Sequence, residues 1–195
     1  MLKNRNFVLA SSSPRRRELL AGVGLDFEVI PPQVRESARD GETPLDFAKR
    51  MAREKALYVC AQERLGQIVV GSDTVVSISG EIFGKPRDEE DALSMLQKLS
   101  GRTHEVITGF CVARAASDVL HLGATRTEVR MKSLDTEEMR RYIKTGEPMD
   151  KAGAYAIQGI GSCLVEWIKG SYTGVVGLPL FELVSVLSDI GVVES

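Results

Sequence analysis

The chain has 195 residues, of which 43% are hydrophobic, so it can bury a core without disulfides or structural metal ions. The 25 Lys and Arg residues nearly balance 27 Asp and Glu residues, and the net charge of -2 excludes a global positive field for binding a nucleic-acid backbone. Three widely separated cysteines fit a reducing cytoplasm, and the first hydrophobic run, residues 7–10, is too short for a signal peptide or a membrane span.

The amino-terminal elements follow the order strand, helix, strand. Ser13 and Pro14 are the residue types of a helix N-cap and first helical position, and Gly22 and Gly24 supply the end of that helix. We therefore predict a strand at residues 7–11, a helix from Pro14, a strand at 27–30 and a loop at 31–41.

The middle of the chain alternates helices with longer strands. Thr43 and Pro44 open a helix with one apolar stripe, which we predict to close near Gly66. Asp88 caps a further helix, which Gly101 ends. The strands predicted here are residues 68–78, followed by a turn at 79–80, and an antiparallel pair at 106–113 and 119–131, with a turn at 116–118.

The carboxyl-terminal part begins with a capping-box pattern. Asp135 and Glu138 precede an apolar helical face, and Gly146 ends that helix. Beyond it we predict strands at 163–168 and 175–176 and a buried helix at 180–190. This order of elements, without repeats or linkers, predicts a mixed α/β protein.

Three consecutive arginines, Arg15, Arg16 and Arg17, crowd the first turn of the first helix. Free backbone N–H groups already give that end a partial positive charge, so the placement is unfavourable unless an anion binds there. A phosphate would accept those N–H groups and form charge-assisted bonds with arginine. The alternative is a solvated basic turn whose charges are screened and partly offset by Glu18.

Asp73 interrupts the apolar strand at residues 68–78, where aspartate is disfavoured and a buried carboxylate without a partner is costly. Two interpretations are open. Either the chain turns at residues 71–74 and Asp73 caps local amides, or the carboxylate faces a cleft as a base or metal ligand.

Two lysines have unusual positions. Lys55 lies close to the apolar stripe of the second helix, although snorkelling along its edge would also explain this. Lys85 stands between Gly84, which allows close approach, and Pro86, which stiffens the chain, so its ammonium could be aimed at a fixed target. With the arginines and isolated acids, these lysines would suit a metal-bound polyphosphate.

The segment of residues 146–159 mixes small residues, both charge signs and an amide, a composition that favours a site-building loop. Gln158 could read a base edge with one donor and one acceptor, although an exposed glutamine usually marks only a wet surface. We interpret His104 and His121 as structural, because neither has a partner nearby in the sequence. We interpret Trp167 as a packing residue rather than a base-stacking platform.

Five segments together match one known family: residues 10–20 (ASSSPRRRELL), 52–56 (AREKA), 71–76 (GSDTVV), 84–86 (GKP) and 151–159 (KAGAYAIQG). On these segments the chain resembles the Maf family. The resemblance implies a single domain over residues 1–195, elongated and two-lobed, with a central mixed β-sheet flanked by helices and a cleft between the lobes. It also implies a metal-dependent nucleotide pyrophosphatase that forms a homodimer. The charge balance argues against nucleic acid as a partner, and the short first hydrophobic run argues against a membrane.

The resemblance also implies a role for each matching residue. Asp73 would take a proton from the attacking water, and Glu36 and Asp73 would hold a divalent cation, Mg²⁺, Mn²⁺ or Co²⁺. Positive charge would stabilise the triphosphate as its α-β bond breaks. The residues that match triphosphate-binding positions are Ser11, Arg15, Arg16, Lys55 and Lys85.

One subgroup of the family prefers dTTP and UTP and has threonine after the catalytic aspartate and a Tyr-x-Ile-Gln-Gly run. Thr74 and residues 155–159 match it, so Arg15, Thr74 and Gln158 are the predicted specificity residues. A second subgroup, similar to 7-methyl-GTP pyrophosphatases, carries glutamine and an acidic residue at the places of Thr74 and Gln158. An amide suits the mixed edge of uracil or thymine, whereas a carboxylate suits the donors of guanine.

Two other functions are open. One is a pyrophosphatase of the 7-methyl-GTP type, and the other is a non-catalytic nucleotide-binding regulator of septum formation, a process to which the family is linked. A regulator would keep the arginines and lysines but need no base, so Asp73 favours an enzyme. Modified pyrimidine nucleotides, which such an enzyme would remove, are further candidate substrates.

Overall fold

The structure is a computed structural model and describes residues 3–62, 66–116 and 118–194. Its strands are β1 (Lys3–Asn4), β2 (Phe7–Ala10), β3 (Phe27–Val29), β4 (Ile68–Ile78), β5 (Glu81–Phe83), β6 (Thr103–Arg114), β7 (Asp118–Met131), β8 (Val165–Lys169) and β9 (Val193–Glu194). Its α-helices are α1 (Pro14–Gly22), α2 (Pro44–Cys60), α3 (Glu89–Leu99), α4 (Thr136–Ile143), α5 (Tyr172–Val176) and α6 (Leu180–Asp189). Short 3-10 turns occupy Glu147–Asp150, Ala152–Ala154 and Gly159–Leu164.

A mixed sheet of seven strands forms the centre of the protein. Its order is β3-β2-β4-β6-β7-β8, with β5 paired to β4 beside this path. β2 runs parallel to β3 and β4, and the other neighbours are antiparallel. This confirms the α/β class with a central mixed sheet, including the predicted antiparallel pair β6 and β7.

One edge of β4 is only partly paired. β2 pairs with residues 69–71 of β4, and β5 pairs with residues 76–78, while β6 covers the whole opposite edge. Within the described residues, positions 72–75 therefore have no strand partner on this edge. The strand β4 is unbroken through these positions, and Asp73 is paired in register with Gly109 of β6. Of the two interpretations of Asp73, the one in which the chain turns at residues 71–74 is therefore wrong.

Apolar side chains pack at both ends of this opening. One cluster joins β2 and the first half of β4 to α1 and α6. A second cluster joins the last half of β4 and β5 to α3 and α4. These two clusters are the cores of two lobes, and the opening in the sheet lies at the cleft between them.

Helix α2 lies unusually close to the sheet. A Cβ atom at Gly71 would overlap the carbonyl oxygen of Ala52, and one at Gly109 would overlap that of Ala48, so only glycine permits this approach. Asp73 follows Gly71 by two residues and therefore points to the same face of the sheet. The close packing brings Lys55 of α2 onto Asp73.

Several predicted elements differ from the structure. Residues 175–176, predicted as a strand, end helix α5, because the Ser171 hydroxyl accepts the Gly174 N–H at 3.0 Å and caps a helical turn. Helix α2 ends at Cys60 rather than near Gly66, and residues 63–65 lie outside the described part of the chain. Ser117, in the predicted turn at 116–118, also lies outside it.

The last helix, predicted to be buried, covers the sheet with one face only. Leu183 and Leu187 are fully buried, whereas Phe181 on the outer face is 84% exposed. Leu180, Val184 and Val186 are partly buried and pack against the same core, so Phe181 is the apolar residue of α6 that faces solvent. None of the helices in the described residues has the length and hydrophobicity needed to cross a bilayer.

Candidate active site

A cleft of about 670 Å³ opens at the unpaired stretch of β4. Every residue that the sequence predicts for the site lines this cleft: Ser11, Arg15, Arg16, Glu36, Lys55, Asp73, Thr74, Lys85 and Gln158. These residues come from separate segments of the chain, spread from Ser11 to Gln158. The fold therefore gathers them, while their individual roles stay predictions.

A buried ion pair stands at the floor of the cleft. The Lys55 Nζ atom lies 2.5 Å from Asp73 Oδ1 and 2.6 Å from Glu36 Oε1. The side chains of Lys55 and Asp73 are only 7% and 8% exposed, and that of Glu36 is half exposed. Lys55 thus points inward to two carboxylates, so the snorkelling explanation of its position is wrong.

The two carboxylates of this cluster differ in proton affinity. Burial raises the pKa of Asp73, and the charges of Lys55 and Arg16 act against that increase. Partial burial would also raise the pKa of Glu36, but Lys55, Lys85 and Arg16 bring it below its usual value. A carboxylate of raised pKa beside one of lowered pKa is an arrangement that suits a proton acceptor next to a permanent anion.

Arg16 is a buried cross-link between α1, β4 and the chain segments after β2 and α5, rather than a solvated side chain. Its Nε donates to the Gly177 carbonyl at 2.7 Å, and its two terminal nitrogens donate to Ser11 Oγ at 3.1 Å and Thr74 Oγ1 at 3.2 Å. Burial lowers the pKa of this guanidinium, while Asp73 and Glu36 counteract the effect. For Arg16, the alternative of a screened basic turn is therefore wrong.

The Thr74 hydroxyl belongs to the same network. It accepts from Arg16 and lies 2.9 Å from Thr108 Oγ1, which in turn donates to the Gly174 carbonyl at 2.7 Å. Because Thr108 uses its hydroxyl hydrogen on Gly174, Thr74 donates to Thr108. These contacts tie Thr74 to the arginine, and its effect on base choice stays a prediction.

The start of α1 has the features expected of an anion-binding helix end. Ser13 is the N-cap residue, but its side chain makes no capping bond, and no acidic residue lies in the first turn. Instead, Ser11 Oγ accepts the Ser13 N–H at 3.1 Å. Arg15 reaches across the cleft to Asp150, with Nη1 3.4 Å from Oδ2.

The opposite wall contains residues that the sequence did not single out. Lys151 lines the cleft, and its Nζ lies 2.5 Å from Asp150 Oδ1 and 2.7 Å from the Glu147 carbonyl oxygen. Tyr155 also lines it and lies 2.7 Å from His104 Nε2 behind the wall. Both belong to the segment at residues 151–159 that matches the family, and this match is the feature of the sequence that could have identified them.

The three residues interpreted as structural have different environments. His104 is buried, and burial lowers its pKa to about 4, so it is neutral at pH 7. His121 stacks on Phe110 at 5.1 Å between ring centroids. Trp167, expected to pack in the core, is 44% exposed on β8, because it lies on the outer face of a strand at the sheet edge.

The carboxylates of the cleft fit part of a divalent-cation site. Magnesium and similar hard cations bind carboxylate oxygens, and Glu36 and Asp73 already direct oxygens at one positive centre, the Lys55 ammonium. No group of three or more His, Cys, Asp or Glu side chains in the described residues could hold a metal ion. Water and phosphate oxygens of the substrate would therefore need to complete the coordination.

Comparisons with known proteins identify the family of the chain. The family model described as Maf-like protein matches residues 6–190. A dTTP/UTP pyrophosphatase of Geobacter sulfurreducens is 52% identical over 97% of this chain and 99% of that protein. Proteins of the same name from Geotalea uraniireducens and Thermococcus kodakarensis are 50% and 49% identical, over 100% and 94% of this chain and 100% and 96% of their own lengths. The chain belongs to the Maf family.

Proposed function

We propose that this protein hydrolyses dTTP and UTP at the α-β phosphoanhydride, releasing the nucleoside monophosphate and pyrophosphate. The observation that carries the proposal is the convergence of basic side chains and a buried carboxylate pair in one cleft. Relatives named for this activity share about half of their residues with this chain over nearly their whole length. Modified pyrimidine triphosphates would fit the same cleft.

In this mechanism, Asp73 accepts a proton from water as the water oxygen forms a bond to phosphorus. The P–O bond to pyrophosphate breaks in the same reaction, and the leaving group takes up the electron pair. Lys55 bonds Oδ1 of Asp73, so the water would bond Oδ2. The raised pKa of Asp73 helps it to hold the proton.

The positive side chains act on the charge that develops during the reaction. Arg16 is held rigidly by three hydrogen bonds, so its remaining N–H groups need little rearrangement to bind phosphate. Arg15 and Lys85 lie on the more open walls of the cleft and would bind the outer phosphates. A divalent cation held by Glu36, Asp73 and substrate would supply Lewis-acid stabilisation of the phosphate oxygens.

The test is release of pyrophosphate by the purified protein with Mg²⁺, Mn²⁺ or Co²⁺. Equal concentrations of dTTP, UTP, CTP, GTP and 7-methyl-GTP are supplied separately, and the nucleoside monophosphate is identified by chromatography. We expect highest kcat/KM for dTTP and UTP and no turnover with a chelator. Preference for 7-methyl-GTP would favour the second subgroup, and tight binding without turnover would favour a regulator. The homodimer stays a proposal that rests on the resemblance, and sedimentation of the purified protein tests it. The cytoplasmic location stays a proposal that rests on the cysteine pattern of the sequence.

Replacement of Arg15 by alanine is expected to raise the KM for dTTP about tenfold or more, because charge-assisted bonds to phosphate are lost. The free energy of unfolding without ligand should change by less than about 1 kcal/mol, since the pair with Asp150 is exposed and Arg15 is repelled by the helix end. Arg17→Ala, an exposed charge of the same turn, is the matched control. A marked fall in the melting temperature of Arg15→Ala alone would instead show that Arg15 has a structural role.

A further inference from the structure

The segment that carries Gln158 has little regular structure of its own, and one carboxylate outside the cleft holds its backbone. Glu147 Oε1 accepts the Gly161 N–H at 2.8 Å, and Oε2 accepts the Ile160 N–H at 2.9 Å. Both N–H groups follow Gln158 within three residues. A single side chain therefore fixes the path of the chain after the amide.

The path before the amide is held through Tyr142 of α4. The Tyr142 hydroxyl donates to Glu147 Oε1 at 2.9 Å and accepts the Ala156 N–H at 3.2 Å. Ala156 precedes Gln158 by two residues, and Tyr142 is itself buried in the second lobe. The Tyr142–Glu147 pair thus bonds the segment on both sides of Gln158.

Two glycines adapt the segment to this carboxylate. Gly159 has φ +67°, and a Cβ atom there would overlap Glu147 Oε2. A Cβ atom at Gly161 would overlap the Tyr142 hydroxyl. Gly159 and Gly161 are therefore explained by close contact with the Tyr142–Glu147 pair and, at Gly161, also with the Ala156 backbone, and no cleft-lining role would require these contacts.

Glu147 is charged at neutral pH. Partial burial would raise its pKa, but the two backbone N–H groups, the Tyr142 hydroxyl and the Lys151 charge bring the pKa below its usual value. Hydrogen bonds to an ionised acceptor are stronger than bonds between neutral groups, so the Glu147 carboxylate holds these backbone N–H groups strongly. Gln158 is exposed at the cleft, and the Glu147 side chain does not line it.

We propose that Glu147 is a positioning residue for base recognition, which acts by fixing the backbone on both sides of Gln158 so that its amide faces the base. This rests on the proposed function, because it concerns the pyrimidine end of the same substrate. Glu147 touches backbone and Tyr142, not substrate, so its removal should alter base choice while the phosphate end of the cleft is spared.

The test uses product binding, which does not depend on turnover. Glu147→Gln places an amide NH₂ against a backbone N–H, so that two hydrogen-bond donors face each other and one of the bonds to the segment is lost. We expect the Kd for dTMP to rise about tenfold, the Kd for dGMP to change less, and the Kd for pyrophosphate to stay within about twofold. Glu137→Gln, which removes only an exposed pair with Arg141 on α4, is the matched control.

A double-mutant cycle separates positioning from general stabilisation. In the Gln158→Ala background, Glu147→Gln should cause no further loss of dTMP over dGMP selectivity, because no amide is left to position. Additive losses, or equal weakening of dTMP, dGMP and pyrophosphate, would overturn the proposal. If Glu147→Gln fails to fold, Tyr142→Phe removes only the hydroxyl and must shift selectivity in the same direction by a smaller factor. Turnover of dTTP by the wild-type protein is measured in a separate experiment. If the wild-type protein shows no turnover, the proposed function fails, while the binding measurements still test the role of Glu147.

Discussion

Asp73→Asn is expected to lower kcat for dTTP and UTP at least about a hundredfold, the usual effect of losing a general base. An amide of nearly the same size cannot accept the proton of the attacking water. The fold should persist, because Glu36 still pairs with Lys55 at 2.6 Å and the buried ammonium keeps a partner. The measurement is kcat at saturating substrate and cation, with folding checked by circular dichroism.

Glu36→Gln is the informative comparison, since it neutralises the other carboxylate on the same lysine. Glu36 is half exposed and its pKa is lowered, so we assign it to the cation rather than to the proton. Its loss should raise the Mg²⁺ concentration for half-maximal activity more than it lowers kcat at saturating Mg²⁺. Near-normal turnover of a folded Asp73→Asn variant would remove Asp73 from the role of base.

Gln158→Glu is expected to lower kcat/KM for dTTP and UTP by about tenfold to more than a hundredfold. The carboxylate loses the N–H donor and sets a negative charge against a pyrimidine carbonyl, at a cost of roughly 1 to 3 kcal/mol. Purine triphosphates should lose less. Rates with dTTP, UTP, CTP and GTP give the comparison, and Gln97→Glu, an exposed position on α3, is the matched control.

An equal proportional loss with all four nucleotides would mean that Gln158 merely holds its own loop. The structure offers a reason to expect otherwise. Within the described residues, Glu147 and Tyr142 bond the backbone around Gln158, and the Gln158 side chain has no hydrogen bond that tethers the segment.

Elements with strong local signals could be predicted from the sequence. The strand at residues 68–78 matches β4 in full, and Asp88 and Asp135 cap α3 and α4 through the N–H groups of Asp91 and Glu138. β5 and the 3-10 turns were missed, because segments of three to six residues are too short to show a clear periodicity. The β-branched pair at residues 175–176 was wrongly predicted as a strand, because the Ser171 N-cap and Gly177 at the helix end favour a helical turn over its strand propensity.

The site was predictable where a residue conflicts with its own element. Asp73 in an apolar strand and arginines at a helix start are such conflicts, and Lys55 beside an apolar stripe is another. Their pairing was not predictable, since it depends on Gly71 and Gly109 allowing α2 to approach two separate strands. Glu36 was reached only through the resemblance, and Glu147 was missed because its partners are mostly backbone N–H groups, which every residue except proline has.

The unpaired stretch of β4 also bears on how the two lobes can move. β4 and β6 run without a break from one hydrophobic cluster to the other, so the cleft is a notch in a continuous sheet and not a seam between hinged bodies. Ten register pairs join these strands along the ladder, and those of residues 72–75 lie at the notch, so bending there would strain paired backbone. We therefore expect adaptation to substrate to come from side chains and from the wall at residues 31–41, while the distance between Lys55 and Asp73 is set by the close packing of α2 on the sheet.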